Sequence, residues 1–200
     1  NIAFTQSFEI EAWGAAQFSS FKNITVKNCS FTGSPDTVTE NTSRNKLVSF
    51  GGGENGIFDD LTFIGCTVKN AYQGIYVKAA TDVTIEGCTF ENLGHNAIAV
   101  QSDEGKALSG GVIVIKDNTV TNGADRAIRF GELLDNSSIT VNGNKMINTG
   151  DAEGQLIKAN SVGTGTTVNL DGNYWSGQEL STAIDTSLGV TDNSPIASLS

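Results

Sequence analysis

Three cysteines, a single histidine and a thin scatter of cations are the residues of this chain that could do chemistry. Cys29, Cys66 and Cys88 make an odd count, so they give no disulfide framework. His95 stands alone, and a lone imidazole is more often a loop hydrogen-bonder than a catalyst. Asp59-Asp60 is an adjacent acidic pair, the type that acid/base chemistry uses. The charge balance is 12 Lys+Arg against 22 Asp+Glu over 200 residues, a formal −10. Nucleic acid and anionic membrane surfaces both need a basic footprint, so neither is expected as a partner. Apolar runs extend only a few residues, which excludes a membrane-spanning segment or the core of a signal peptide. Beginning at Asn1 and not at Met, the chain reads as a processed product or an excised domain.

Whether any of these side chains meet depends on the elements that carry them. The chain has 23 Gly, 21 Thr, 19 Asn and 18 Ser but 2 Pro, a mixture that suits strands and turns over helices. With 38% hydrophobic residues and 10 Phe it can still bury a core. Six segments share one template: 24–31, 61–68, 83–90, 113–120, 139–146 and 168–175. Each reads apolar, x, apolar, x, turn residue, Cys or Asn, x, apolar. That is a period-2 strand entering a corner and leaving it as a second short strand. A third strand follows at variable distance: Val48-Ser-Phe50, Ile75-Tyr-Val77, Ile98-Ala-Val100, Ile128-Arg-Phe130 and Ile157-Lys-Ala159. The corner residues Cys29, Cys66, Cys88, Asn118, Asn144 and Asn173 are 37, 22, 30, 26 and 29 residues apart, the longer intervals carrying loops.

Three strands per repeat, constant strands and variable loops predict a parallel β-solenoid of about six to seven coils, stacked ~4.8 Å apart. A sandwich would need hairpin turns between long antiparallel strands, and a propeller four strands per repeat. From Ile24 to Trp175 the repeat resembles the right-handed single-stranded parallel β-helices of the pectin-lyase-like superfamily, and the repeated corner Asn is similar to that superfamily's internal asparagine ladder. Tyr174-Trp175-Ser-Gly177, preceded by Asn173, resembles a closing motif of β-helix domains in bacterial surface proteins. In-register stacking puts the three Cys in the ladder column with Cβ atoms ~4.8 Å apart, too far for a disulfide, so they read as small buried hydrophobes.

The division expected is one domain over 1–200. Residues 1–20 would be a partial coil and cap, with Asn1–Phe4 matching the third-strand pattern and a short helix allowed within 5–20. Residues 21–177 would be the coils, and 178–200 a C-terminal cap and exit.

The resemblance places a substrate along the outside of a strand face. On the third-strand face the outward column is Ser49, Tyr76, Ala99, Arg129 and Lys158, with Lys78, Gln101, Gly131 and Asn160 beside it. Tyr76, Arg129 and Lys158 would form a sugar-binding strip, an aromatic face for a pyranose and cations for uronate carboxylates. The acids of polygalacturonase-type hydrolases would fall just before the third strand, where Tyr72 and Gln73 stand. Asp59-Asp60 lies at the wrong corner, and Gly94-His95-Asn96 is offset from the histidine motif. A lyase would take Arg126, Arg129 or Lys158 as base, with Ca²⁺ held by acids such as Asp125 and Glu132, which lack a ligand spacing. The first expectation is therefore a non-catalytic, cofactor-free module of a bacterial cell-surface or secreted protein: a stalk, an adhesin or a glycan-contacting domain, with neighbouring domains in a larger chain. The alternative is a polysaccharide lyase acting on an acidic glycan.

Overall fold

A computed structural model describes residues 2–5, 8–12, 20–38, 46–52, 57–78, 80–101, 110–123, 125–132, 135–150, 155–161 and 163–177. Its strands form three parallel sheets, one of seven strands and two of six, and every strand pairs only with its equivalents in the adjacent coils. Between consecutive coils the chain visits each sheet once, the parallel β-helix expected from the repeat.

The register is the one the template implies. Ile24, Leu61, Val83, Ile113, Ile139 and Val168 stack in the first-strand sheet. Phe31, Val68, Phe90, Val120, Met146 and Trp175 stack in the second. Val48, Ile75, Ile98, Ile128 and Ile157 stack in the third. Since side chains alternate along a strand, each inward column meets its own kind, and the three columns fuse into one continuous core. Phe50 abuts Phe58 and Phe63 edge-on, with centroids 5.5 and 5.3 Å apart, which closes the wide interior of the early coils.

The corners explain the turn residue of the template. Asn28, Gly65, Gly87, Asp117, Gly143 and Gly172, each just before a corner residue, all have positive φ. Glycine, asparagine and aspartate enter that left-handed region at least cost. Behind them runs the ladder. Asn118 and Asn144 each donate a side-chain N–H to the amide oxygen of the asparagine above, at 2.9 Å, and a second to a backbone carbonyl of the coil below. The amide oxygens of Asn118, Asn144 and Asn173 also accept the backbone N–H of Cys88, Asn118 and Asn144 respectively. Cys66 and Cys88 continue the column as buried free thiols, while Cys29 is half-buried. The Cys66 backbone N–H reaches Cys88 Sγ at 3.3 Å, and the Cys66 thiol donates to the Val26 carbonyl at 3.4 Å, so sulfur imitates both functions of the amide at longer range. The hydrogen bond between the two thiols, followed by burial, pushes Cys88 above its ordinary range.

A second stack was not foreseen. Asn70, Asn92, Asn122 and Asn148 hold positive φ where the second strand ends, and Asn92 donates to Asn70 at 2.8 Å. The N-terminal segment also differs from expectation. Ala3–Phe4 pairs with Ser30–Thr32 and so joins the second-strand sheet, not the third. The stretch 5–20, expected as a cap with a short helix allowed in it, contains the strand Phe8–Ala12, paired with Lys46–Gly52 in the third-strand sheet. Apolar alternation over three residues fits any column, and only the stacking partners distinguish them; Phe4 lies flat on Phe31, centroids 4.9 Å apart. Trp13, Phe18 and residues 178–200 lie outside the described residues.

Candidate functional site

The third-strand sheet runs Phe8–Ala12, Lys46–Gly52, Gln73–Lys78, Ile98–Gln101, Ile128–Glu132 and Ile157–Ser161. Its pairing puts Ser49, Tyr76, Ala99, Arg129 and Lys158 directly opposite one another in successive coils. The outward column expected from the sequence is thus in register. Arg129 and Lys158 are neighbours, two like-charged residues whose backbone positions lie about one strand spacing apart. Neither has an acidic partner among the described residues. Arg129 makes only a long contact, Nη2 to Asn160 Oδ1 at 3.5 Å, and its Nε is buried without a hydrogen-bond partner.

Tyr76 is more engaged than an open aromatic platform. Lys46 Nζ sits 3.6 Å from its ring centroid, a cation–π contact covering one face, and Gln101 donates to its hydroxyl. Gln101 in turn lies against Gly131, where a Cβ would collide with its own. Ser49 and Ala99 are buried, so the strip consists of Tyr76, then the small Ala99, then the adjacent pair Arg129 and Lys158. Lys46, Lys78, Arg126, Arg129 and Lys158, five of the 12 cations, lie on this sheet or at its leading corner.

That corner holds a cluster which sequence reasoning missed. Counting three residues back from the stacked Ile75, Ile98 and Ile128 gives Tyr72, His95 and Asp125, one above another. The rings of Tyr72 and His95 stack with centroids 5.1 Å apart. His95 Nε2 lies 3.0 Å from Asp125 Oδ2, and Arg126 Nη1 lies 3.3 Å from Asp125 Oδ1. Asn96, 1% exposed, brings its side-chain amide nitrogen onto His95 Nδ1. Burial raises the Asp125 carboxyl, but the hydrogen bond from His95 and the charges of His95 and Arg126 outweigh it, so Asp125 titrates below its ordinary range. The signal was present: the third-strand alignment fixes the offset, and His95 reads as solitary only when Asp125 is counted along the chain.

As a lyase base, Arg126 is therefore occupied by Asp125, whereas Arg129 and Lys158 keep the outward position. As metal ligands, Asp125 has both oxygens engaged and the Glu132 side chain lies outside the described residues. No group of three or more His, Cys, Asp or Glu converges among those described. The acids Asp59 and Asp60 lie in the strand Ile57–Ile64 of the first-strand sheet. There Asp59 pairs with Lys22 and accepts from Thr81, so it is remote from the third-strand face.

No curated protein and no solved structure matches the sequence. A family model described as a right-handed β-helix region matches residues 5–194, and with nearly the whole chain covered, the protein belongs to that right-handed β-helix family.

Proposed function

We propose that the protein is a non-catalytic glycan-contacting module of a bacterial cell-surface or secreted protein, and that its third-strand face takes an acidic polysaccharide. The observation that carries this reading is the pairing of Arg129 directly opposite Lys158 without an acidic partner among the described residues, in a chain of net charge −10. Like charges facing each other across adjacent strands repel, and an anionic group bound between them relieves that repulsion. Lys46 and Lys78 lie on the same sheet, and Lys46 holds one face of the Tyr76 ring, so the strip combines cations with an aromatic side chain. The global acidity does not oppose such a ligand, because screening confines the interaction to charges within about 8–10 Å.

The test is calorimetry with oligomers of polygalacturonate, alginate and a glycosaminoglycan, against a neutral glucan. Binding to acidic oligomers that weakens with salt and is lost in Arg129→Glu and Lys158→Glu is the expected result. Absence of binding to all of them, or binding indifferent to both charge reversals, would refute it. The half-buried cations of this face also favour a second reading, a lyase with Arg129 or Lys158 as base. A rise in ultraviolet absorbance from unsaturated uronate products, abolished by Arg129→Ala, would establish that reading and displace the first.

A further inference from the structure

At one end of the rod the three sheets stop unevenly. Their terminal strands there are Ala3–Phe4, Phe8–Ala12 and Ser20–Lys27. The first two belong to one coil and the third to the next, so among the described residues the outermost coil has a second and a third strand but no first. The gap alongside Ser20–Lys27 is one strand wide, and the apolar residues bordering it are partly bare. Phe21 is 39% exposed and Ile24 and Val26 are half-buried, whereas Phe58, Leu61 and Phe63, their partners in the adjoining strand, are 0% exposed. The edge is half paired along its backbone as well. Asn28 N–H donates to Ile64 O, and Val26 O accepts from the Cys66 thiol, both toward the next coil. Successive residues of a strand alternate in direction, which turns the N–H and C=O of Thr25 and Lys27 toward the gap. Round the corner the gap continues as an open hollow of about 510 Å³ whose lining includes Ile2, Asn28 and Cys29, where a first strand would turn into Ala3.

We propose that this gap is a docking site for an extended segment of another protein, added in parallel as the absent first strand and carrying an acidic residue opposite Lys27. Strand addition at a sheet edge draws affinity from main-chain hydrogen bonds and specificity from alternate side chains. Apolar residues of the segment would lie opposite Ile24 and Val26 and cover them. The acid follows from the column in which Lys27 stands, with Ile64, Glu86 and Lys116 in the successive strands. There Glu86 and Lys116 form an ion pair at 3.1 Å, Lys22 is taken by Asp59, and Lys27 has no acidic partner among the described residues. The same charges disfavour a second copy of this chain as the occupant, because a two-fold-related edge would set Lys22 and Lys27 against the same two lysines. The site is separate from the third-strand face and does not depend on what that face binds.

The probe is a synthetic peptide copying residues 80–87, Ala-Thr-Asp-Val-Thr-Ile-Glu-Gly. In the protein, Val83, Ile85 and Glu86 of that segment occupy the columns of Ile24, Val26 and Lys27. Calorimetry with the whole chain should show one saturable site. Replacing the peptide's Glu by Lys should weaken binding by about two- to fivefold, and Lys27→Glu in the protein should reverse that preference. Bound peptide should also slow deuterium exchange at the Thr25 and Lys27 amides and alkylation of Cys29. No binding at millimolar peptide, equal affinity for the two peptides, or binding that leaves Thr25 and Lys27 exchange unchanged would overturn the proposal. Slow exchange of those two amides in the peptide-free protein would overturn it too, since the chain itself would then cover the edge. A concentration-dependent dimer in sedimentation that the peptide dissociates would do the same, by making a second copy the occupant.

Discussion

Truncating the middle of the asparagine ladder should cost a large share of the protein's stability, and restoring only a thiol there should recover part of it. The Asn144 amide oxygen accepts the backbone N–H of Asn118 at 3.0 Å and the Asn118 side chain at 2.9 Å; its nitrogen donates to Ile115 O, Asn142 O and Asn173 Oδ1. In Asn144→Ala the Asn118 N–H is left buried and unpartnered, a penalty of about 1–3 kcal/mol, and the other bonds contribute roughly 0.5–1.5 kcal/mol each when lost. Allowing for relaxation, a loss of about 3–5 kcal/mol is expected, against a typical total stability of about 5–15 kcal/mol. Asn144→Cys should lose about half as much, because a thiol in this column both accepts and donates, as Cys88 and Cys66 do. Guanidinium unfolding followed by far-UV circular dichroism, with the slope held constant across variants, measures both. Equal losses in the two variants, or a loss below about 1 kcal/mol in the alanine variant, would refute the idea that the ladder's hydrogen bonds hold the corner.

Three further outcomes are expected. Gly131→Ala drives a Cβ into Gln101 and should destabilise by about 1–3 kcal/mol while disturbing the Tyr76 hydroxyl contact, read by thermal unfolding and by the tyrosine ring resonances. Native alkylation followed by mass spectrometry should modify Cys29 alone, with Cys66 and Cys88, each 1% exposed, reacting only in denaturant. Because Asp125 titrates below its ordinary value in the folded protein, its contribution to stability is complete above the unfolded carboxyl range and is lost as pH falls through the folded value. Unfolding midpoints measured from pH 6 to 3 should therefore fall less steeply in Asp125→Asn than in the wild type.

Most of the architecture was legible because a solenoid repeats its instructions. A column such as Phe31, Val68, Phe90, Val120, Met146 and Trp175 is six concordant statements about one inward position, and the glycines and asparagines before the corners agree with it. Ala3–Phe4 had no such support: two residues cannot specify a sheet, and Phe31, the residue stacked on Phe4 from the next coil, decides the matter only in three dimensions. The outward strip of Tyr76, Arg129 and Lys158 followed from the same alignment, but its environment did not, since Lys46 reaches the Tyr76 ring from the neighbouring strand, at a position ahead of the repeated apolar pair. The pairing of His95 with Asp125 was hidden by sequence distance, although both sit at one offset from the stacked isoleucines.

The exchange of asparagine for cysteine along the ladder makes the rod mechanically and dynamically polar. In a stacked array each coil is stabilised by its immediate neighbours, so opening spreads from wherever the junction between coils is weakest. From Asn118 onward the corner is joined by amide bonds of 2.7–3.0 Å, whereas between Cys66 and Cys88 the backbone meets sulfur at 3.3 Å. Fraying should begin in the coils around Cys29 and Cys66 and advance toward Asn173, and corner amides should exchange with solvent deuterium in that order. Where the rod is tethered or pulled from that end, those coils would be the first to yield, leaving Arg129 and Lys158 on the portion that unravels last.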